Sequence, residues 1–204
     1  VMNPTALKAA AKIGFPREKI VGVWWSGAEE DTIPAGAAAK GYISAGFNVS
    51  GTNYPVIKDI QKFVVAKGKT NMEDKSRIGS VYYNRGVVHG IITVEAIRKA
   101  QEKFGKGKSI TGEQMRWGIE NLNIDNAMLK KLGAEGFMPE LKISCMDHEG
   151  SGKVKFQQWD GKQWKVITDW IDADKSIVRP MIEESAAKYG KEKNIAPRDC
   201  SKES

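Results

Sequence analysis

Hydrophobic spacing changes character along this 204-residue sequence, and the changes leave few folds open to it. In the first 75 residues, short β-branched runs alternate with segments whose apolar residues recur at helical spacing. After Pro4 an alanine-rich helix carries Leu7, Ala10, Ala11 and Ile13 on one face and stops at Gly14. The run "KIVGVWW" is short, aromatic and bounded by glycine, which predicts a buried strand. A second alanine-rich helix is expected over Ala35 to Ala45, a short strand at "FNVSG", and a third helix after Pro55 with Ile57, Ile60, Phe63 and Val64 at helical spacing. Such alternation is the pattern of an α/β fold with a parallel sheet.

The polar stretch "AKGKTNMEDKSRIGS" has little apolar content and reads as a junction. A long helix follows from about Ser80 to Phe104, burying Val81, Val88, Ile91, Ile92, Ala96 and Ala100 and stopping at Gly105. Thr111 and Gln114 form a capping box, with Ile110 and Met115 as its staple, so a helix starts at Gly112. Asp125 caps a shorter helix ending at Gly133. From Leu141 the period falls to two. In "KVKFQQWDGKQWKV" a three-residue loop, Trp159-Asp160-Gly161, pairs Phe156 with Trp164 and Val154 with Val166, predicting a bulged hairpin with Gly161 left-handed. A last helix from about Ala173 to Lys193 contains Pro180, which implies a kink or a late start. There is no internal repeat.

Composition excludes more than it assigns. The net charge of +7 comes from charges of both signs scattered over helical stretches such as "AIRKAQEKFGKGK", a solvated face rather than a nucleic-acid footprint. No window has the ~18 consecutive apolar residues of a membrane span. The two cysteines, Cys145 and Cys200, would be separate thiols in a reducing compartment or one bridge in an oxidising one, and composition does not choose. The opening "VMNPTALKAA" reads as the end of one element and the start of the next, so the chain is expected to be a piece of a longer protein.

Few residues suggest chemistry. In "CMDHEG", an extended segment would point Cys145, Asp147 and Glu149 one way and Met146 and His148 the other, so they cannot converge on a metal. The cluster reads instead as a structural turn in which Gly150 and Gly152 let the chain cross over and His148 serves as a hydrogen-bonding post. His89 reads as a core or interface histidine. The glycine clusters match no phosphate loop, so no nucleotide or other cofactor is expected. The stretch "VGVWWSGAEED" leaves two readings open. In one, the strand, as in open α/β sheets, delivers Trp24, Trp25, Ser26, Glu29, Glu30 and Asp31 to a ligand pocket, with Tyr82, Tyr83 and Asn84 opening the long helix. Alternatively one tryptophan is core, the other surface, and the acids merely favour the next helix's dipole.

Taken in order, "NPTALKAAAKIGFP", "KIVGVWWSG", "KGYISAGF", "GSVYYNRGVVHGIITVEAIRKAQEKFGKG" and "CMDHEGSGKVKFQQWDGKQW" resemble the C-terminal half of branched-chain amino-acid-type solute-binding proteins of ABC transporters. The resemblance covers nearly the whole chain. It implies a type I periplasmic-binding (flytrap) fold, present only in part: one nearly complete α/β lobe plus part of the other, closing by hinge motion. It implies that residues 1–75 form a second-lobe segment, 76–138 a first-lobe segment, and 139–204 the third crossover, hairpin and C-terminal helix. It further implies ligand contacts from Trp24, Trp25, Ser26 and Glu29, with Glu29 taking an ammonium group, and from Tyr82, Tyr83 and Asn84 at the cleft edge. Asp147, His148 and Gly150 fall at the crossover. The implied partners are a small amino acid or carboxylate-bearing ligand, aromatic ones included, a membrane permease, and the missing N-terminal half of the same protein. The implied role is import without catalysis, or ligand sensing in a receptor or regulator of the same fold. The family is exported to the periplasm, which favours a Cys145–Cys200 bridge.

Overall fold

A computed structural model describes residues 2–202, and most of its elements begin or end on an identifiable local signal. Helix α1 (Met2–Lys12) buries Pro4 and Leu7, while Ile13 lies exposed beyond its end. The apolar run that follows yields a strand of two residues, β1 (Val21–Gly22), and then a 3₁₀ turn over Trp24–Ser26. The short buried strand expected over "KIVGVWW" is thus cut to two residues, neither of them buried. Val21 and Val23 are exposed because β1 is the edge of its sheet and pairs on one side only.

Helix α2 (Glu29–Thr32) is a single turn. The alanine-rich stretch does not continue as helix to Ala45. Its 3₁₀ segment, Ile33–Ala39, is broken at Gly36, and Gly41 at φ 93° leads the chain into strand β2 (Ile43–Gly46). The strand expected at "FNVSG" therefore comes earlier, and Phe47 to Gly51 is an irregular crossing segment. Helix α3 (Pro55–Ile60) follows, with proline in its first turn, where no N–H is needed.

Helix α4 (Val81–Phe104) is capped by Ser80 Oγ, which accepts from Tyr83 N–H, and stops at Gly105. Helix α5 (Gly112–Glu120) opens on the expected reciprocal box between Thr111 and Gln114. Strand β3 (Asn123–Ile124) leads to helix α6 (Asn126–Lys131), capped by Asp125, and pairs antiparallel with β4 (Leu141–Lys142).

Strands β5 (Lys155–Trp159) and β6 (Trp164–Val166) form the hairpin, with a register that differs from expectation. Trp159 faces Trp164, so the loop is Asp160 to Gln163, four residues rather than three, and Phe156 does not pair with Trp164. Burial explains the difference: a three-residue loop would leave Trp159 in the turn, whereas this register buries both indoles edge to face, their centroids 5.4 Å apart. Asp160 closes the loop by accepting from Lys162 and Gln163 N–H, and Gly161 has the expected positive φ. The sheet order is β1-β2-β5-β6, and only β1 and β2 run parallel, so the sheet is mixed rather than parallel. Helix α7 (Lys175–Lys193) starts after its Asp174 cap, keeps Pro180 inside, and buries none of its residues. Among the described residues no helix is long and apolar enough to cross a membrane.

Side chains gather in two cores. One unites Leu7, Ala35, Tyr42, Trp159 and Trp164; the other unites Ile57, Val88, Leu122, Leu129 and Phe137. Although α3 lies within residues 1–75, its Ile57 packs into the second of these, with the helices that follow the polar junction. Cys145 and Cys200 are joined, tying the C-terminal tail to the segment after β4. Closing a separation of 55 residues removes about 4 kcal/mol of chain entropy from the unfolded state. Denatured, unreduced protein should therefore show no reactive thiol, and reduction should lower the unfolding midpoint. Two reactive thiols before reduction would contradict the pairing.

Candidate binding site at the joint of the two cores

The first turn of α4 belongs to both cores. Val81 packs in the core of Tyr42 and Trp164, and Tyr83, in the same turn, packs against the core of Val88 and Phe137. Between them, polar side chains satisfy the backbone of the crossing segment, which makes no regular ladder of its own. Asn84 Nδ2 donates to Val49 O at 2.8 Å and Gly51 O at 3.0 Å. Asn48 Nδ2 donates to Val81 O at 3.0 Å. Arg85 Nε donates to Asn48 Oδ1 at 3.3 Å, and its Nη2 donates to Trp24 O at 3.1 Å. The N–H of Val81, an open donor at the helix start, is accepted by Glu29 Oε2 at 3.0 Å. Arg77 and Glu30 add an ion pair between the junction and α2.

An aromatic group surrounds this joint. Trp25 stacks on Trp24 with centroids 4.0 Å apart, and Phe47 meets Trp24 edge on at 5.4 Å. The Arg85 guanidinium lies 5.0 to 5.2 Å from the ring centres of Phe47, Trp24 and Tyr82. Trp25 is 66% exposed and Tyr82 41%, so the group presents an open aromatic surface. A hollow of about 300 Å³ adjoins it, walled by Trp24, Phe47, Val88, His89, Met138 and Val154. A second, of about 420 Å³, lies by Glu29, Ser50, Gly51, Arg77 and Ser80.

The residues expected to touch ligand separate into two groups. Trp24 and Tyr82 lie around Arg85, and Trp25 stacks on Trp24. Ser26 turns inward, where its Oγ donates to Val23 O and accepts from the Tyr42 hydroxyl. Tyr83 packs against the core of Val88 and Phe137, and Asn84 is 0% exposed. Asp31 is likewise engaged, by Asn3 and the Ala28 N–H. Glu29 accepts from the Val81 N–H at the start of α4, and burial pushes its carboxyl above the usual carboxylate range. Phe47, Asn48 and Arg85 escaped sequence reasoning. Arg85 had a signal: it falls between Val81 and Val88 on the apolar stripe of α4, where a charge has no place without a role.

At the far side, "CMDHEG" is not extended. Ser144 and Asp147 close a turn through paired backbone hydrogen bonds. The Asp147 carboxyl, held below its ordinary range chiefly by the Lys175 ammonium at 2.7 Å, anchors α7; Lys175 also donates to Gly150 O. Gly150 sits at φ 73°, with Leu141 where a Cβ would stand. His148 Nε2 contacts Glu120 Oε1 at 3.1 Å, and Arg198 grips both oxygens of Glu120 at 2.5 and 2.7 Å. These contacts hold the tail, the turn and α5 together. Among the described residues no group of side chains could hold a metal ion, and His89 is exposed rather than core.

With two α/β cores joined by crossing segments, the molecule has the type I periplasmic-binding fold, which solved structures share. It is similar to a protein from the Pseudomonas fluorescens group described as an ABC transporter permease, with 48% identity and a TM-score of 0.94 over 98% of this chain and 48% of that one. A branched-chain amino acid ABC transporter from Thermus thermophilus with bound valine matches 84% of this chain and 43% of that one at 24% identity and a TM-score of 0.63. A possible leucine/isoleucine/valine-binding protein from Rhodopirellula baltica SH 1 matches 81% of this chain and 39% of that one at 16% identity and a TM-score of 0.56. These are described as transport and binding proteins, not enzymes, and the chain spans about half or less of their length. No family model and no curated protein sequence matches it.

Two outcomes check the site's electrostatics. Glu29→Ala uncovers the Val81 N–H and should cost about 1 kcal/mol, as loss of a cap does, whereas Glu29→Gln, still an acceptor, should stay within about 0.5 kcal/mol of the parent by urea unfolding. Since the carboxyl is raised in the folded state, its contribution declines as pH rises through the raised value, and Gln removes that decline. Glu120 has the opposite sign. Arg198 holds its carboxyl low, so the stability it supplies is present above the ordinary carboxylate range and lost as pH falls below it. Arg198→Gln should flatten the acid side of a Tm-against-pH curve.

Proposed function

We propose that this chain is part of the solute-binding component of an ABC importer, taking up an amino acid or related small carboxylate-bearing compound, aromatic ones included. The observation that carries the reading is the open aromatic surface of Trp24, Trp25 and Tyr82, set where two α/β cores meet. An aromatic wall supplies apolar contact, and a few polar groups fix orientation, as a small polar ligand requires. The fold's solved examples include a transporter protein with valine bound, which supports an amino-acid-like ligand here.

In this reading residues 2–46 and 154–193 form one lobe, residues 48–143 the other, and the segments between them act as hinges. The contacts of Asp147 and Gly150 with Lys175, and of His148 with Glu120, steady one hinge. The opposite wall of the cleft comes from a segment matching the remaining length of the solved relatives. Ligand is captured by lobe closure in the periplasm, and the closed form delivers it to a membrane permease, with no cofactor and no catalysis.

A thermal-shift screen of the protein in its full-length context, against amino acids and aromatic acids, tests this. A ligand at 100 times its Kd stabilises the protein by about 2.7 kcal/mol and should raise the midpoint by roughly 3–5 °C at about twice this chain's length. No shift with any of them would overturn the reading.

A further inference from the structure

Arg85 carries more charge than the fold gives it reason to hold. It is 9% exposed, and both acceptors of its guanidinium, Asn48 Oδ1 and Trp24 O, are neutral. Among the described residues no carboxylate lies within ion-pair distance of it, and its Nη1 makes no hydrogen bond. Asp31 acts on it only from a distance, and both Asp31 oxygens are already engaged, by Asn3 and the Ala28 N–H. Burial pulls the guanidinium's pKa down, yet arginine stays charged in proteins. A desolvated cation without an anionic partner is costly, and proteins retain one where an anion is to be met.

The surroundings fix how that anion would arrive. Three rings and two hydrogen bonds hold the guanidinium in one orientation, leaving the Nη1 edge as its unused donor. Arginine's planar fork matches a carboxylate better than it matches a compact anion. Beside it, Trp25 stacks on Trp24 and turns its other face to solvent, a surface on which an aromatic or apolar body can lie. Glu29, the residue placed to take an ammonium group, is engaged by Val81 and half-buried.

We propose that Arg85 is the anion anchor of the site: its Nη1 edge takes the ligand's carboxylate while the ligand's aromatic or apolar body lies on Trp25. This rests on the solute-binding reading and narrows it. The wall formed by this chain reads the acidic end of the ligand rather than the amino end. Because Arg85 stands on α4, while Trp24 and Trp25 belong to the end of β1, an anion bound there also joins the two cores.

Titration by calorimetry of the protein in its full-length context tests this with matched pairs: benzoate against benzamide, and phenylalanine and leucine against their amides. At least one carboxylate should bind, with its amide at least ten-fold weaker. Arg85→Met should weaken the carboxylate at least ten-fold and leave the amide unchanged. Arg85→Lys, which keeps the charge but not the fork, should fall between. Should Arg85→Met fail to fold, Tyr82→Leu, which removes an exposed wall of the cage, should still weaken the carboxylate more than the amide. Carboxylate binding unchanged in the Arg85 variants, or amides binding as well as acids, overturns the anchor alone. No binding by any of the compounds overturns the solute-binding reading with it.

Discussion

The first turn of α4 is the contact on which the rest of the molecule depends. Two separate cores would move independently if only loose chain connected them. Here Val81 is buried in one core while the helix it begins forms the floor of the other. The crossing segment has no sheet partner, so the Asn84 side chain takes up two of its carbonyls, Val49 O and Gly51 O, while Asn48 ties the segment to α4 by donating to Val81 O. Leaving such a buried group unsatisfied costs about 1–3 kcal/mol, so each of these amides is hard to replace. Asn84, a ligand contact by position in the sequence, is 0% exposed and spends its Nδ2 on two of those carbonyls.

Function and structure meet at Arg85. Its hydrogen bonds to Asn48 and Trp24 help close the joint, and its aromatic cage opens onto the surface. Whatever binds there acts on a group that both cores share. Under the proposed binding role, that would give lobe closure a physical handle without a long chain of couplings. The tail, held by the Cys145–Cys200 bridge and the Arg198–Glu120 pair, secures the opposite end of α5 and the turn after β4.

Much of the fold was legible in the sequence. The capping box at Thr111 and Gln114, the Asp125 cap and the span of α4 follow from local signals that no tertiary contact opposes. Where expectation failed, a nonlocal term won. Periodicity cannot see that β1 is a sheet edge, that Gly36 and Gly41 break an alanine-rich helix, or that pairing Trp159 with Trp164 buries more aromatic surface than a tighter loop. The resemblance grouped Trp24, Trp25, Ser26, Glu29, Tyr82, Tyr83 and Asn84 at a cleft; the structure gathers Trp24 and Tyr82 around Arg85, stacks Trp25 on Trp24, and turns Ser26, Tyr83 and Asn84 inward. The resemblance could not divert Glu29 from an ammonium to the Val81 N–H, because that requires knowing that a helix start lies 52 residues away in sequence and 3.0 Å away in space.

The central claim, that one helical turn binds the two cores into a single unit, is tested most directly by hydrogen exchange followed by mass spectrometry at increasing urea. Peptides from α5 and α6 report one core, and peptides from the β5–β6 hairpin report the other. The account predicts that both lose protection together, at one urea concentration. Loss of protection in the hairpin at a clearly lower concentration, with α5 and α6 still protected, would contradict it.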